Sequence, residues 1–175
     1  INYGGKFHTL LDFAVGANNA SSVEYLLNNF LQFREPSILR GSLETALRSG
    51  NVEMAKLLRQ AGALKRARDG KNLFLDSALE GRVWDYPKSV EFLLDAGVNI
   101  DQRDSLNSLT PLLRAILTSH PSIGRLLLER GASVNIRDRD GNPPLLKASI
   151  RNNSSLENLG PLLLKHGAEI NVRNG

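Results

Sequence analysis

Three histidines, His8, His120 and His166, are the side chains best suited to proton transfer or metal binding near neutral pH. None has a second histidine or a carboxylate at a metal-ligand spacing. The chain has no cysteine, so disulfides, thiolate ligands and cysteine nucleophiles are excluded. Asp12 and Asp76 each follow an apolar pair, and a catalytic carboxylate needs a partner and a cleft. Both read instead as polar residues on helices. No glycine-rich phosphate loop and no nucleophile elbow is present. The expectation is that the chain is not an enzyme and calls for no metal and no cofactor.

What must then be explained is the scaffold. The chain has 175 residues, 41% hydrophobic and 23% charged, enough for a sizeable core. Lys and Arg number 22 against 18 Asp and Glu, a net charge of +4 with the signs interleaved. That is a weak pull toward acidic partners and not a nucleic-acid signature. No apolar run approaches the ~20 residues of a membrane span, and no signal peptide is visible. The lack of cysteine fits a reducing compartment. Ile1 at the start and a lone methionine, Met54, read as a fragment or processed form of something longer.

The organisation is periodic. "LLLERGASVNIRD" (126–138) returns as "LLLKHGAEINVRN" (162–174), with earlier copies "FLLDAGVNIDQRD" (92–104) and "LLRQAGALKRARD" (57–69). A second motif alternates with it. "TPLLRAI" (110–116) returns as "PPLLKAS" (143–149), and "NLFLDSA" (72–78) and "HTLLDFA" (8–14) are looser copies. On the last of these, His8 takes the place of Thr110 at a helix start. His166, beside Gly167, suits a helix C-terminus.

Each unit reads physically as two short helices. Leu43, Ala46 and Leu47 share one face of the first, and Ser49-Gly50 ends it. Val52, Met54, Ala55, Leu57 and Leu58 give the second, which Gly62 stops. Neither helix is long enough to stand alone, so each must bury its face on the next unit. The pairs Leu57-Leu58, Leu93-Leu94, Leu126-Leu127 and Leu162-Leu163 are expected in the core at equivalent places. Phe30 and Phe33 are expected there too. Asp138-Arg139-Asp140-Gly141 has the residue preferences of a type I turn, and Pro143-Pro144 suits a helix start.

Thr110-Pro111-Leu112 with Ala115, the Leu-Leu…Gly endings and the Asp138-x-x-Gly141 turn make the pattern resemble the ankyrin repeat family. Five units cover nearly the whole chain, at 5–37, 38–69, 70–104, 105–138 and 139–175. The resemblance implies an all-α, ankyrin-type helical-repeat solenoid, one domain, with short β-hairpin fingers. Fingers are expected near 67–70, 104–108 and 138–141. The link "LQFREPSILRG" (31–41) lacks that turn chemistry and is expected to be irregular. Insertions at 80–89 and in the fifth unit fall between the two helices of a unit. In the fourth unit Ser119 stands where a glycine is usual. The last unit is as apolar as an internal one, so the parent protein is expected to continue past Gly175 with another repeat or a capping helix.

Function then rests on surface. Lys65, Arg66, Arg68 and Lys71 crowd one finger, and Arg103, Arg137, Arg139 and Arg173 recur at later ones, interleaved with Asp101, Asp104, Asp138 and Asp140. They form either a charged rim or an edge that meets an acidic protein segment. Trp84 and Tyr86, in an insertion, are residue types that anchor interfaces, or they fold back to seal two units. The family resemblance implies a protein–protein interaction module of a larger intracellular protein, binding through the concave face and finger tips. A structural spacer is the competing reading, and a basic surface for nucleic acid or phospholipid ranks last.

Overall fold

A computed structural model of the chain describes residues 2–3, 6–7, 9–64, 86–104, 108–150 and 159–170. They belong to two compact units, 1–71 and 72–175. The first opens with two-residue strands, β1 (Asn2–Tyr3) and β2 (Lys6–Phe7), paired antiparallel with Asn2 opposite Phe7. Helices α1 (Leu10–Gly16), α2 (Ala20–Asn29), α3 (Pro36–Arg48) and α4 (Val52–Gln60) follow, with a 3₁₀ turn at Leu31–Arg34. Helix α1 packs on α2 and on α3, and α3 on α4. The core of this unit includes Leu11, Val15, Val23, Leu27, Leu39, Leu43, Ala46, Leu47, Met54, Ala55 and Leu58.

The second unit contains α5 (Pro87–Asp95), α6 (Pro111–Leu117), α7 (Pro121–Glu129), α8 (Pro144–Ile150) and α9 (Leu159–Lys165). Helix α6 packs on α7 and α8, α7 also on α5 and α9, and α8 on α9. Short helices are thus laid side by side, each burying one stripe on its neighbours. Gly124 allows a close approach of α7 and α9: a Cβ there would lie 2.9 Å from Leu159 Cδ1.

The same local chemistry starts and stops helices in both units. Thr9 and Thr110 accept the N–H of Asp12 and of Leu113 at the starts of α1 and α6. Asn19 and Asn51 do the same for Ser22 and Met54 at α2 and α4. First helices end on a left-handed residue, Asn18 (φ 55°), Gly50 (φ 70°) or Ser119 (φ 60°). Second helices end on Gly62, Gly97, Gly131 and Gly167, with φ between 84° and 104°. After each of these glycines an N–H reaches back to a leucine carbonyl: Ala63 to Leu58, Val98 to Leu93, Ala132 to Leu127 and Ala168 to Leu163, at 2.9–3.1 Å.

That ladder corrects the leucine register. Leu58, Leu93, Leu127 and Leu163 are each fully buried, four residues before the terminal glycine. Leu57, Leu126 and Leu162, one place earlier, are half-buried, as is Leu94, one place later. The pairs therefore are not equivalent throughout, because a helix turns about 100° per residue and only one member points squarely at the neighbour. Phe33 is buried, but Phe30 is 42% exposed and lies edge-on between Tyr25 and Phe33. The irregular link is no finger at all. The 3₁₀ turn leads directly into α3, which Pro36 starts about two turns before Leu43. The helix-start place read for His8 is held by Thr9.

Candidate protein-binding surface

The finger chemistry can be followed at two places in the second unit. At the first, the Asp104 N–H bonds the Leu109 carbonyl at 2.9 Å, closing the loop ahead of α6. At the second, the Asp138 N–H bonds the Asn142 carbonyl at 3.0 Å and the Gly141 N–H returns to the Asp138 carbonyl at 3.1 Å. The Asp138 carboxylate also accepts the N–H groups of Asp140 and Asn142. Both are closed by backbone bonds, and none of their described residues is in a β-strand. Only the pair β1–β2 is a stranded hairpin among the described residues.

Both finger aspartates point inward. Asp104 pairs with Arg114 of α6 at 2.7 Å, and Asp138 with Lys147 of α8 at 2.9 Å. The two carboxylates are each 5% exposed. They occupy equivalent places and bind the finger to the helix it precedes. Burial alone would raise the pKa of Asp138. The Lys147 ammonium and the N–H groups of Asn142 and Asp140 outweigh it, so the net shift is downward.

Asp101, also on the rim, is engaged as well. Asp101 accepts the Ser133 N–H at 2.9 Å and its hydroxyl. One unit on, Asn135 accepts the Glu169 N–H and donates to the Gly167 carbonyl, both at 3.1 Å. Asp101 and Asn135 stand four residues after Gly97 and Gly131, so this is a repeated clasp between neighbouring units. On the outer helices Arg130 bridges Asp95 and Glu91 of α5.

What the fingers show to solvent is then small. Arg103, Arg139 and Asp140 are exposed. Arg137 is half-buried and donates to the Gly141 carbonyl at 2.9 Å, so it also braces its own turn. Tyr86 stands at the start of α5 with the backbone shape (φ −105°, ψ 79°) that His120 has at the start of α7 (φ −107°, ψ 79°). It is a half-buried helix-start residue and not a loop tip. Lys65, Arg66, Arg68, Lys71 and Trp84 lie outside the described residues.

Of the polar residues screened for chemistry, Asp12 and His120 have structural partners, and His8 and Asp76 lie outside the described residues. Asp12 completes a reciprocal cap with Thr9 and accepts the Ser42 hydroxyl at 2.7 Å, joining α1 to α3. His120 is buried, its Nδ1 2.6 Å from the Thr118 hydroxyl. His166 is exposed at the end of α9. Among the described residues no group of three or more His, Cys, Asp or Glu is placed to hold a metal ion. None of their helices is long and apolar enough to cross a membrane.

A family model described as ankyrin repeats, in three copies, matches residues 77–174, more than half of the chain. The chain belongs to the ankyrin repeat family. Over 52 residues it is 40% identical to an ankyrin repeat-containing protein of Schizosaccharomyces pombe, covering 30% of this chain and 25% of that protein. Over 138 residues it is 27% identical to a putative ankyrin repeat protein of fowlpox virus, covering 77% of this chain and 19% of the viral one. The chain thus spans a quarter or less of the length of these relatives. Among solved structures, the ankyrin repeat domain of Bcl-3, a member of the IkappaB protein family, aligns with a TM-score of 0.64 at 23% identity. That match covers 95% of this chain and 90% of the other, and it is a likeness of fold. Ankyrin repeats are in general a non-catalytic protein–protein interaction module.

Proposed function

We propose that the chain is the recognition module of a larger intracellular protein, binding an acidic segment of a protein partner along the finger tips and the concave face beside them. The observation that carries this reading is the inward pairing of Asp104 and Asp138. With those carboxylates bound to Arg114 and Lys147, the exposed charges at the two described tips are Arg103 and Arg139 against Asp140. A basic tip steers an acidic partner and sets its association rate more than its final affinity. Lys65, Arg66, Arg68 and Lys71 extend the same chemistry in sequence. Trp84 and Tyr86 are the alternative anchor. The chain is not itself an enzyme in this reading.

The test is quantitative capture of partners by the chain and by its Arg103→Glu/Arg139→Glu variant. A protein lost from the variant, with unchanged thermal unfolding and with wild-type binding that weakens in salt, supports the reading. An identical set of partners removes the tips from consideration and moves attention to alanine variants at Trp84 and Tyr86. Capture of no partner by either chain favours a spacer.

A further inference from the structure

The glycines that end the second helices set a register that the fingers keep. Six residues after Gly62, Gly97, Gly131 and Gly167 stand Arg68, Arg103, Arg137 and Arg173. The next residue is acidic or its amide in each case: Asp69, Asp104, Asp138 and Asn174. In the fold the two members of this dipeptide go opposite ways. Asp104 and Asp138 are held inward by Arg114 and Lys147 at 2.7 and 2.9 Å. Arg103 stays exposed, and Arg137 is half-buried with one N–H on the Gly141 carbonyl at 2.9 Å. A guanidinium carries five N–H donors in a flat fork, so that bond leaves an edge able to take a carboxylate. Arg139 differs: the residues in its place after the other glycines are Gly70, Ser105 and Gly175. Arg68 and Arg173 lie outside the described residues and join the column by sequence register alone.

The helices fix the spacing of the column. Each finger is tied by its ion pair to the helix it precedes, the first to α6 and the second to α8, and α6 packs directly on α8. Packed helices stand roughly 8–10 Å apart, so Arg103 and Arg137 repeat at about that pitch. A segment that meets both must carry its acids at the same pitch and on one side. In a β-strand, side chains on one face recur every second residue, at about 6.6 Å and then about 13 Å. A polyproline II segment has three residues per turn and rises about 3.1 Å at each, so residues i and i+3 point the same way about 9.3 Å apart. An α-helix reaches a similar distance only at i and i+7, about 10.5 Å. An unfolded acidic segment already populates polyproline II, whereas a helix must first be nucleated.

We propose that the column of Arg103 and Arg137, continued in sequence by Arg68 and Arg173, reads an acidic protein segment in polyproline II conformation with an Asp or Glu at every third residue. The inference rests on the acidic-segment reading above and gives that segment its spacing. One carboxylate meets one arginine per repeat, and the two residues between successive acids span the step from finger to finger.

Fluorescence anisotropy on the whole 175-residue chain tests this with two peptides. One is built of Glu-Pro-Pro triplets, and the other has the same composition with its glutamates in one block. An exposed ion pair is worth a factor of up to about five, so the triplet peptide should bind about fivefold or more tighter at low salt. Arg103→Gln changes an exposed side chain and should bring the two peptides to within about twofold, with thermal unfolding unchanged. Equal affinity of the two peptides for the unaltered chain overturns the spacing and leaves the acidic-segment reading standing. A triplet preference that survives Arg103→Gln also overturns it. So does tighter binding of an alanine-rich helical peptide with a glutamate at every seventh residue, or of a single-stranded oligonucleotide. Binding of neither peptide overturns it too, and the capture experiment above then decides the broader reading separately.

Discussion

Replacing Leu127 by alanine probes the repeat register more sharply than any other single change. Its side chain is fully buried in α7, and its carbonyl accepts the Ala132 N–H at 2.9 Å. Truncation removes three carbons from the interior, about 2.4 kcal/mol at roughly 0.8 kcal/mol each. The packed neighbours α5 and α9 hold the site from both sides, so a residual cavity adds to that, within about 2–5 kcal/mol in all. The neighbouring Leu126 is chemically the same residue but half-buried, and Leu126→Ala should cost about half as much. Urea unfolding followed by far-UV circular dichroism reads both. A loss below about 1 kcal/mol for Leu127→Ala, or a larger loss for Leu126→Ala, would refute the register and the ladder of glycine-terminated helices on which it rests.

Three further outcomes follow from the same structure. Gly131→Ala should destabilise by about 1 kcal/mol although a Cβ there meets no atom within 4 Å, because φ 85° strains the backbone; Gly131→Asn should recover part of the loss. Asn135→Ala removes the clasp to Gly167 and Glu169, at a cost of about 0.5–1.5 kcal/mol by urea unfolding, with faster exchange of the Glu169 amide. Asp138 has its folded pKa below the ordinary carboxylate value, so its contribution is whole above that value and is lost as pH falls through the lowered one. Asp138→Asn should therefore flatten the acid limb of the stability–pH curve below about pH 4, and an unchanged limb would show that the Lys147 pairing does not persist in solution.

Helix order and glycine ends were legible because each depends on local residues: an apolar stripe, a left-handed glycine, a proline at a first turn. The errors came where two local patterns were compatible with the same letters. Adjacent leucines look alike in sequence, and only packing chooses Leu93 over Leu94. His8-Thr9 offers two helix starts, and the reciprocal bond of Thr9 with Asp12 decides between them. Phe30 looks like core by type, yet the 3₁₀ turn that follows leaves it at the surface. The helix-starting asparagines Asn19 and Asn51 were visible signals, each followed three residues on by the amide it caps. The surface was least legible. Asp104 and Asp138 read as rim charges, but their carboxylates are buried against Arg114 and Lys147, ten and nine residues away on the following helix, a pairing that adjacent letters do not reveal.

The clasp between neighbouring units has an evolutionary side. Asp101 and Asn135 each grip a main-chain N–H of the next unit, at Ser133 and at Glu169. Every residue but proline supplies that main-chain N–H, and a serine and a glutamate serve the two places here. A unit copied, removed or exchanged by recombination at its glycine boundary would arrive with the amide its new neighbour needs. The grip travels with one residue per unit and does not depend on which side chain its partner residue carries.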